Sequence, residues 1–150
     1  VKAPAGVAGA MRAARADERA LMLEWETGFA RDAGLPRPGR DPAFLTRVVD
    51  ESLSDGTLFV WEADGSPVAM ARQRRIGGDG IRVSGVYTPP LLRGHGYAAA
   101  LTAALSQRIL DERLFCCLHA DASNALTNRL YPRIGYVCLA TYADIVFFDD

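Results

Sequence analysis

The chain is 150 residues long, with 17 Lys and Arg against 18 Asp and Glu, a formal net charge of −1. Hydrophobic residues at 49% and charged residues at 23% make an ordinary globular balance at a length that suits one domain, which excludes a largely disordered chain and any need for a disulfide or metal staple. Charge is even along the chain, 11 basic and 11 acidic residues in 1–75 and 6 and 7 in 76–150, so no basic field is present to bind duplex nucleic acid or an anionic membrane.

Residues 1–13 are rich in Ala and Gly, an expectation of poor order, and residues 1–15 offer no convincing strand. Across 17–30, Ala20, Leu21, Leu23, Trp25 and Phe29 recur at helical spacing, and Asp17 and Glu18 favour the helix start through its dipole. The segment 34–39 is a turn-rich loop. Asp41 followed by Pro42 is an N-cap with Pro at the first helical position; the second helix carries Phe44, Leu45, Val48, Val49 and Leu53, and Gly56 lies beyond its end. The period then turns extended. Strands are predicted over 58–61, 67–75 and 81–88, with turns at 63–66 and 77–80, and Pro89 and Pro90 end the third. A long helix over 94–113 places Leu101, Leu105 and Ile109 on one seam, with Ala98, Ala100, Ala103 and Ala104 around it. A strand over 114–120, a helix capped by Ser123 and ended after Ile134 by Gly135, and closing strands over 136–139 and 142–148 complete the order. This predicts a single α+β domain over 1–150 with a mixed sheet.

The three cysteines, Cys116, Cys117 and Cys138, have no framework spacing, and two neighbours on a strand point to opposite faces; they read as buried thiols in a reducing compartment. His119 and Asp121 sit two apart, but no third ligand joins them, so no metal is expected. No apolar stretch approaches the ~18–20 residues of a membrane span, nor is there a signal-peptide core, so the expectation is a cytoplasmic protein without a membrane partner. The chain starts at Val1 rather than Met, which points to a trimmed or longer chain.

The first candidate site is Arg93-Gly94-His95-Gly96-Tyr97-Ala98-Ala99, where a strand hands over to a helix. Gly94 and Gly96 let the backbone approach a ligand closely. The first-turn N–H groups of the helix and its dipole suit a phosphate or pyrophosphate, and Arg93 can add a fixed charge. Three readings stand. The loop is a Gly turn that only caps a helix; or Gly94-x-Gly96-x-x-Ala99 is a dinucleotide fingerprint, against which stand the preceding meander and the lack of a strand-end acid about twenty residues on. The third comes from likeness. The stretch Val86-Tyr87-Thr88-Pro89-Pro90 through Arg93, Gly96 and Ala98 resembles the cofactor motif of the GCN5-related N-acetyltransferases (GNAT), nearest to the FR47-like branch. That resemblance implies the GNAT acyl-CoA N-acyltransferase fold, a central mixed, mostly antiparallel sheet flanked by helices on both faces. It implies acetyl-CoA as co-substrate, its pyrophosphate on the loop amides and its pantetheine arm along Val86, Tyr87 and Thr88 like an added strand.

The second candidate site is a polar stripe. Asn124, Asn128 and Tyr131 fall at i, i+4 and i+7, beside an apolar stripe of Leu126, Leu130 and Ile134. Alone this is a solvated face, but it follows strand 114–120, whose expected neighbour is strand 81–88, so both ends face one crevice. The string from Leu118 through Asp121, Asn124, Asn128 and Tyr131 to Gly135-Tyr136 looks like the other half of the same family's signature. By that resemblance Asn124 and Asn128 contact the cofactor, and Tyr131 protonates the departing thiolate. The likeness covers about 57–148. Relatives with an extra N-terminal half make a missing half an alternative to a homodimer built on the last strand and Phe147-Phe148.

The resemblance further implies direct transfer to a primary amine of a small molecule or peptide, with a backbone N–H near Val86–Thr88 holding the oxyanion. The sequence agrees in having no Gly-x-Ser-x-Gly and no evident Cys–His pair. A Lys-like amine is less than ~0.1% neutral at pH 7, so a base or water chain is needed. Glu24 and Glu26 on the first helix are candidates to line the acceptor groove, though a solvated helix face is their simpler reading, and neither is assigned a role. Pro132 directly follows Tyr131 and is expected to bend the helix there. A non-catalytic acyl-CoA-binding module is the alternative from another class.

Overall fold

The computed structural model describes residues 1–112 and 115–143. Five strands, β1 (Ala10–Ala13), β2 (Leu58–Ala63), β3 (Ser66–Arg75), β4 (Gly80–Tyr87) and β5 (Phe115–Leu118), form one sheet in chain order. The first four run antiparallel, and β5 joins β4 in parallel. Among the described residues, four α-helices accompany the sheet: α1 (Arg19–Asp32), α2 (Pro42–Ser54), α3 (Tyr97–Asp111) and α4 (Ala125–Ile134). The mixed α+β architecture expected from the sequence is the one observed.

The period-2 alternation of β2 divides the core. Leu58 and Val60 pack with Met22, Trp25, Val49, Met70 and Tyr87 under α1 and α2. Phe59 and Trp61 point the other way, into a cluster with Ala69, Ala71, Ile81 and Val83 and the α3 seam of Leu101, Leu105 and Ile109. Leu101 and Leu105 are wholly buried, each contributing about 1.5–3 kcal/mol of apolar transfer. The β2–β3 hairpin turns at Asp64 (φ 49°) and Gly65 (φ 74°), the left-handed pair an Asp-Gly turn supplies. Asp41 caps α2 as expected, its Oδ1 accepting from the Phe44 N–H at 3.0 Å.

Four expectations are corrected. A strand does precede the first helix. In β1, Ala10 to Ala13 pair with Glu62 to Phe59, and Arg12 is fastened by Glu18 and Glu62, both at 2.6 Å. Its apolar signal is too short to read, since Met11 alone of its four residues packs on the core and the ladder and these ion pairs hold the rest. Helix α3 begins at Tyr97 rather than Gly94, since Gly94 (φ 87°) and Gly96 (φ 82°) lie in the left-handed region. Asn124, not Ser123, caps α4, with its Oδ1 accepting from the Leu126 and Thr127 N–H groups; the Ser123 N–H and Oγ are both taken by Asp121 Oδ1. Residues 136–139 form no strand: no described strand pairs with them, and Val137 and Leu139 are each 78% exposed. Of the expected strand 142–148, residues 144–148 lie outside the described residues.

The segment before β1 crosses the α3 face of the sheet. The Lys2 N–H donates to the Ile134 carbonyl at 2.7 Å, and Trp61 Nε1 donates to the Ala8 carbonyl at 2.8 Å. Among the described residues, no helix is long and apolar enough to cross a membrane, and no group of three or more His, Cys, Asp or Glu is placed to hold a metal.

Candidate active site

The parallel strands β4 and β5 pair from Gly80 and Phe115 to Val83 and Leu118, and there the pairing ends. Strand β4 runs on to Tyr87, so among the described residues its edge over 84–87 has hydrogen-bonding groups with no strand beside them. A bulge sits at this fork. Arg72 pairs with Ser84 and Met70 with Tyr87, which leaves Gly85 and Val86 together opposite Ala71. Gly85 takes φ +58°, a conformation glycine adopts freely and L side chains resist. The extra residue flips the strand's parity: Ile81 and Val83 pack toward α3, whereas Tyr87 packs toward α1.

The Gly loop follows within a few residues. The Ala100 N–H makes the bond to the Gly96 carbonyl at 2.9 Å, so the Tyr97, Ala98 and Ala99 amides precede the helical ladder and stand at the positive end of the α3 dipole. Residues 93–96 are exposed, and a Cβ at Gly94 would meet nothing within 4 Å. His95 stacks on Tyr97, centroids 5.4 Å apart. The open β4 edge and the unpaired first-turn amides thus lie close together, a donor set suited to an extended arm ending in an anion.

The charged and polar side chains expected to contact the ligand are engaged with the protein. Arg93 Nε donates to the Thr88 carbonyl at 2.9 Å and Nη2 donates to Asp32 at 2.6 Å, while its guanidinium lies 5.7 Å from the Tyr87 ring centroid. Arg93, and Arg31 behind it, hold the Asp32 carboxyl below the usual range. Asn128 Nδ2 donates to the Asp121 and Ala122 carbonyls at 3.0 and 2.9 Å, so Asn124 and Asn128 both lash the loop after β5 to α4. Among the candidate contacts at and just past the end of β4, Tyr87 and Thr88 are buried and Val86 is half-buried.

Tyr131 is 9% exposed and packs with Ala103 and Ile134, against Leu118 at the end of β5. Its ring meets Tyr136 edge-on at 6.0 Å, and burial pushes its phenol above the ordinary value. Helix α4 continues through Pro132 to Ile134, and the Gly135 N–H bonds the Tyr131 carbonyl at 3.2 Å. The phenol-bearing turn therefore abuts the strand end where the fork opens.

Sequence reasoning named Glu26 without assigning it a role, and passed over Arg72 and Gly28 at the fork. Glu26 is 3% exposed, not on a solvated face, and its Oε1 accepts from Arg72 Nη2 at 2.8 Å. Burial raises its pKa against the opposing pull of Arg72. The signal was present: Met22, Glu26 and Ala30 share one stripe at i, i+4 and i+8, and both neighbours are core. Gly28 is the third, because a Cβ there would stand 2.5 Å from the Tyr87 hydroxyl. Glu24 stays exposed.

A family model described as the acetyltransferase (GNAT) family matches residues 19–136. Solved structures with the same fold include a predicted acetyltransferase from Clostridium acetobutylicum with acetyl-CoA, 17% identical over 91% of this chain and 95% of that one, TM-score 0.70. A possible acetyltransferase from Clostridium difficile is 18% identical over 93% and 98%, TM-score 0.75. A GCN5-related N-acetyltransferase from Ralstonia eutropha is 21% identical over 91% and 97%, TM-score 0.65. No curated protein matches the chain.

Proposed function

The chain belongs to the GNAT acetyltransferase family, whose members transfer acyl groups from acyl-CoA, and from that premise we propose that it is an N-acetyltransferase acting on a primary amine of a small molecule or peptide. The observation that carries this reading is the fork: β4 continues past its last pair with β5 at a glycine bulge, and the chain then enters a loop with two left-handed glycines and the free amides of α3. Bound acetyl-CoA supplies an activated thioester. The chain's own groups do the rest. Amides of Tyr97, Ala98 and Ala99 hold the pyrophosphate, with Gly94 leaving room for it, beside His95 and Gly96, whose own Cβ direction is filled by Val7. The β4 edge at Val86, Tyr87 and Thr88 aligns the pantetheine arm, and a backbone N–H there polarises the acyl carbonyl and steadies the oxyanion. Tyr131 gives its proton to the sulfur as the C–N bond forms and the C–S bond breaks, and the proton that the amine sheds through solvent restores the phenol, which is protonated at neutral pH. Arg93, Asn124 and Asn128 act by holding the loops that border the fork.

We further read residues 1–150 as one cytoplasmic domain of this kind, nearest to the FR47-like branch. One observation favours a second reading, a non-catalytic acyl-CoA-binding module: Tyr131 is buried against Ala103, Ile134 and Tyr136. Isothermal titration with acetyl-CoA, then thiol release across a panel of amines, decides. Binding with turnover on at least one amine is expected. Binding with no turnover on any amine favours the module, and no binding refutes both.

A further inference from the structure

Resting on the acetyl-transfer reading, we propose that the buried Glu26–Arg72 ion pair is a clamp that fixes the β4 bulge and so aims the Val86–Thr88 backbone at the acyl carbonyl. Three elements meet at this point. Glu26 comes from α1, Arg72 from β3 and Gly85 from β4. The guanidinium lies against the bulge itself: a Cβ at Gly85 would stand 2.8 Å from Arg72 Nε and 2.9 Å from Nη2. Nη2 is the same nitrogen that Glu26 holds at 2.8 Å, so the carboxylate sets where the guanidinium rests. Helix α1 touches β4 again at Gly28, where the Tyr87 hydroxyl fills the space of a side chain. The bulge is thus braced from α1 before and after Val86.

Fold stability does not account for the pair. Glu26 Oε2 and Arg72 Nε are buried without partners among the described residues. A buried pair so incompletely satisfied is no more stabilising than apolar side chains of the same volume. What such side chains could not do is set the charged Nε–Nη2 edge of a guanidinium against a left-handed glycine. Glu26 and Arg72 are therefore positioning residues, acting through Gly85.

The test uses the full chain and [1-13C]acetyl-CoA, with the carbonyl resonance as readout, in wild type, Glu26→Gln, Arg72→Met and the double variant Glu26→Met/Arg72→Met. Coenzyme A affinity should stay within about twofold of wild type in all three, since the pyrophosphate loop is untouched. The displacement of the carbonyl resonance on binding should fall below about half of the wild-type value, because the aimed N–H groups no longer polarise it. Glu26→Gln keeps volume but removes the charge that holds the guanidinium in place, and is the variant most certain to fold. Folded variants with the wild-type displacement would overturn the proposal. Loss of folding in all three would assign the pair to stability and overturn it as well. A wild-type chain that binds no acetyl-CoA fails the reading beneath, before any variant is compared.

Discussion

Two glycines with left-handed backbones, Gly85 and Gly94, allow the strength of the contact at the bulge to be measured against an internal control. Replacing either by Ala forces an L residue into that region, at about 1–2 kcal/mol. At Gly94 nothing lies within 4 Å of the new methyl, so backbone strain is the whole effect. At Gly85 the methyl would stand 2.8 Å from Arg72 Nε. A guanidinium is the far end of a flexible side chain, and moving it is inexpensive in itself. Here it is tied to Glu26, which is 3% exposed, and swinging it away leaves that carboxylate buried without its cation. One-sided loss of a buried pair costs about 3–5 kcal/mol, and the 18% exposure of the Arg72 side chain puts this case at the low end. Gly85→Ala should therefore lose about 4–5 kcal/mol and Gly94→Ala about 1–2. Urea unfolding followed by far-UV circular dichroism measures both, and the midpoints of thermal melts should differ by about 6–12 °C. Two variants within about 1 kcal/mol of each other would show that Arg72 does not rest on the bulge.

Tyr131→Phe should lower thiol release about 100-fold while leaving acetyl-CoA affinity unchanged; a rate within about twofold of wild type removes Tyr131 as the acid. Glu18 is brought from an ordinary 4.5 down to about 2, first by its hydrogen bond from Arg12. A depressed carboxylate stabilises the fold fully above its unfolded pKa and loses that contribution as pH falls through the folded one, so acid unfolding should steepen between about 4.5 and 2. Glu18→Gln should abolish about 1–2 kcal/mol of that slope in pH-dependent denaturation, the remainder being screened by solvent. Leu101→Ala, at a wholly buried position under the sheet, should cost about 2–5 kcal/mol in urea unfolding.

The elements whose stability comes from a repeating apolar face could be read from the sequence; those set by single contacts could not. The α3 seam, the alternating β2 and the capped start of α2 each carry a periodic or local signal, and each lies where expected. Strand β1 carries none long enough to read, because Met11 alone packs on the core and the rest is held by its ladder with β2 and by Arg12 between Glu18 and Glu62. The closing strand over 136–139 failed for the opposite reason: Tyr136, Val137 and Leu139 have strand-like composition, but a strand needs a partner and no described strand pairs with them. At the candidate site, the Gly94-His95-Gly96 loop was legible as a turn ahead of an apolar helix. The bulge was half visible, as a glycine that breaks the alternation of Ile81 and Val83 before Val86. Its cause was not, since Arg72 and Glu26 reach it from 13 residues before and 59 residues before, across two other elements.

The partnering of side chains around the fork has a consequence for recognition. Arg93 is committed to Thr88 and Asp32, Asn124 to the first turn of α4, and Asn128 to the loop after β5. What is left without a partner at the fork is then chiefly backbone: the β4 edge and the first amides of α3. Backbone donors cannot rotate away or change rotamer, so they lose little entropy when a ligand arrives, and their aim is only as good as the structure that fixes them. On the proposed reading, the residues that matter most for aim therefore sit behind the fork. Glycines admit the strain, a buried ion pair sets the bulge, and an arginine ties the loop to α1. Substitutions at these supports should change how well the bound thioester is oriented more than whether the nucleotide end binds.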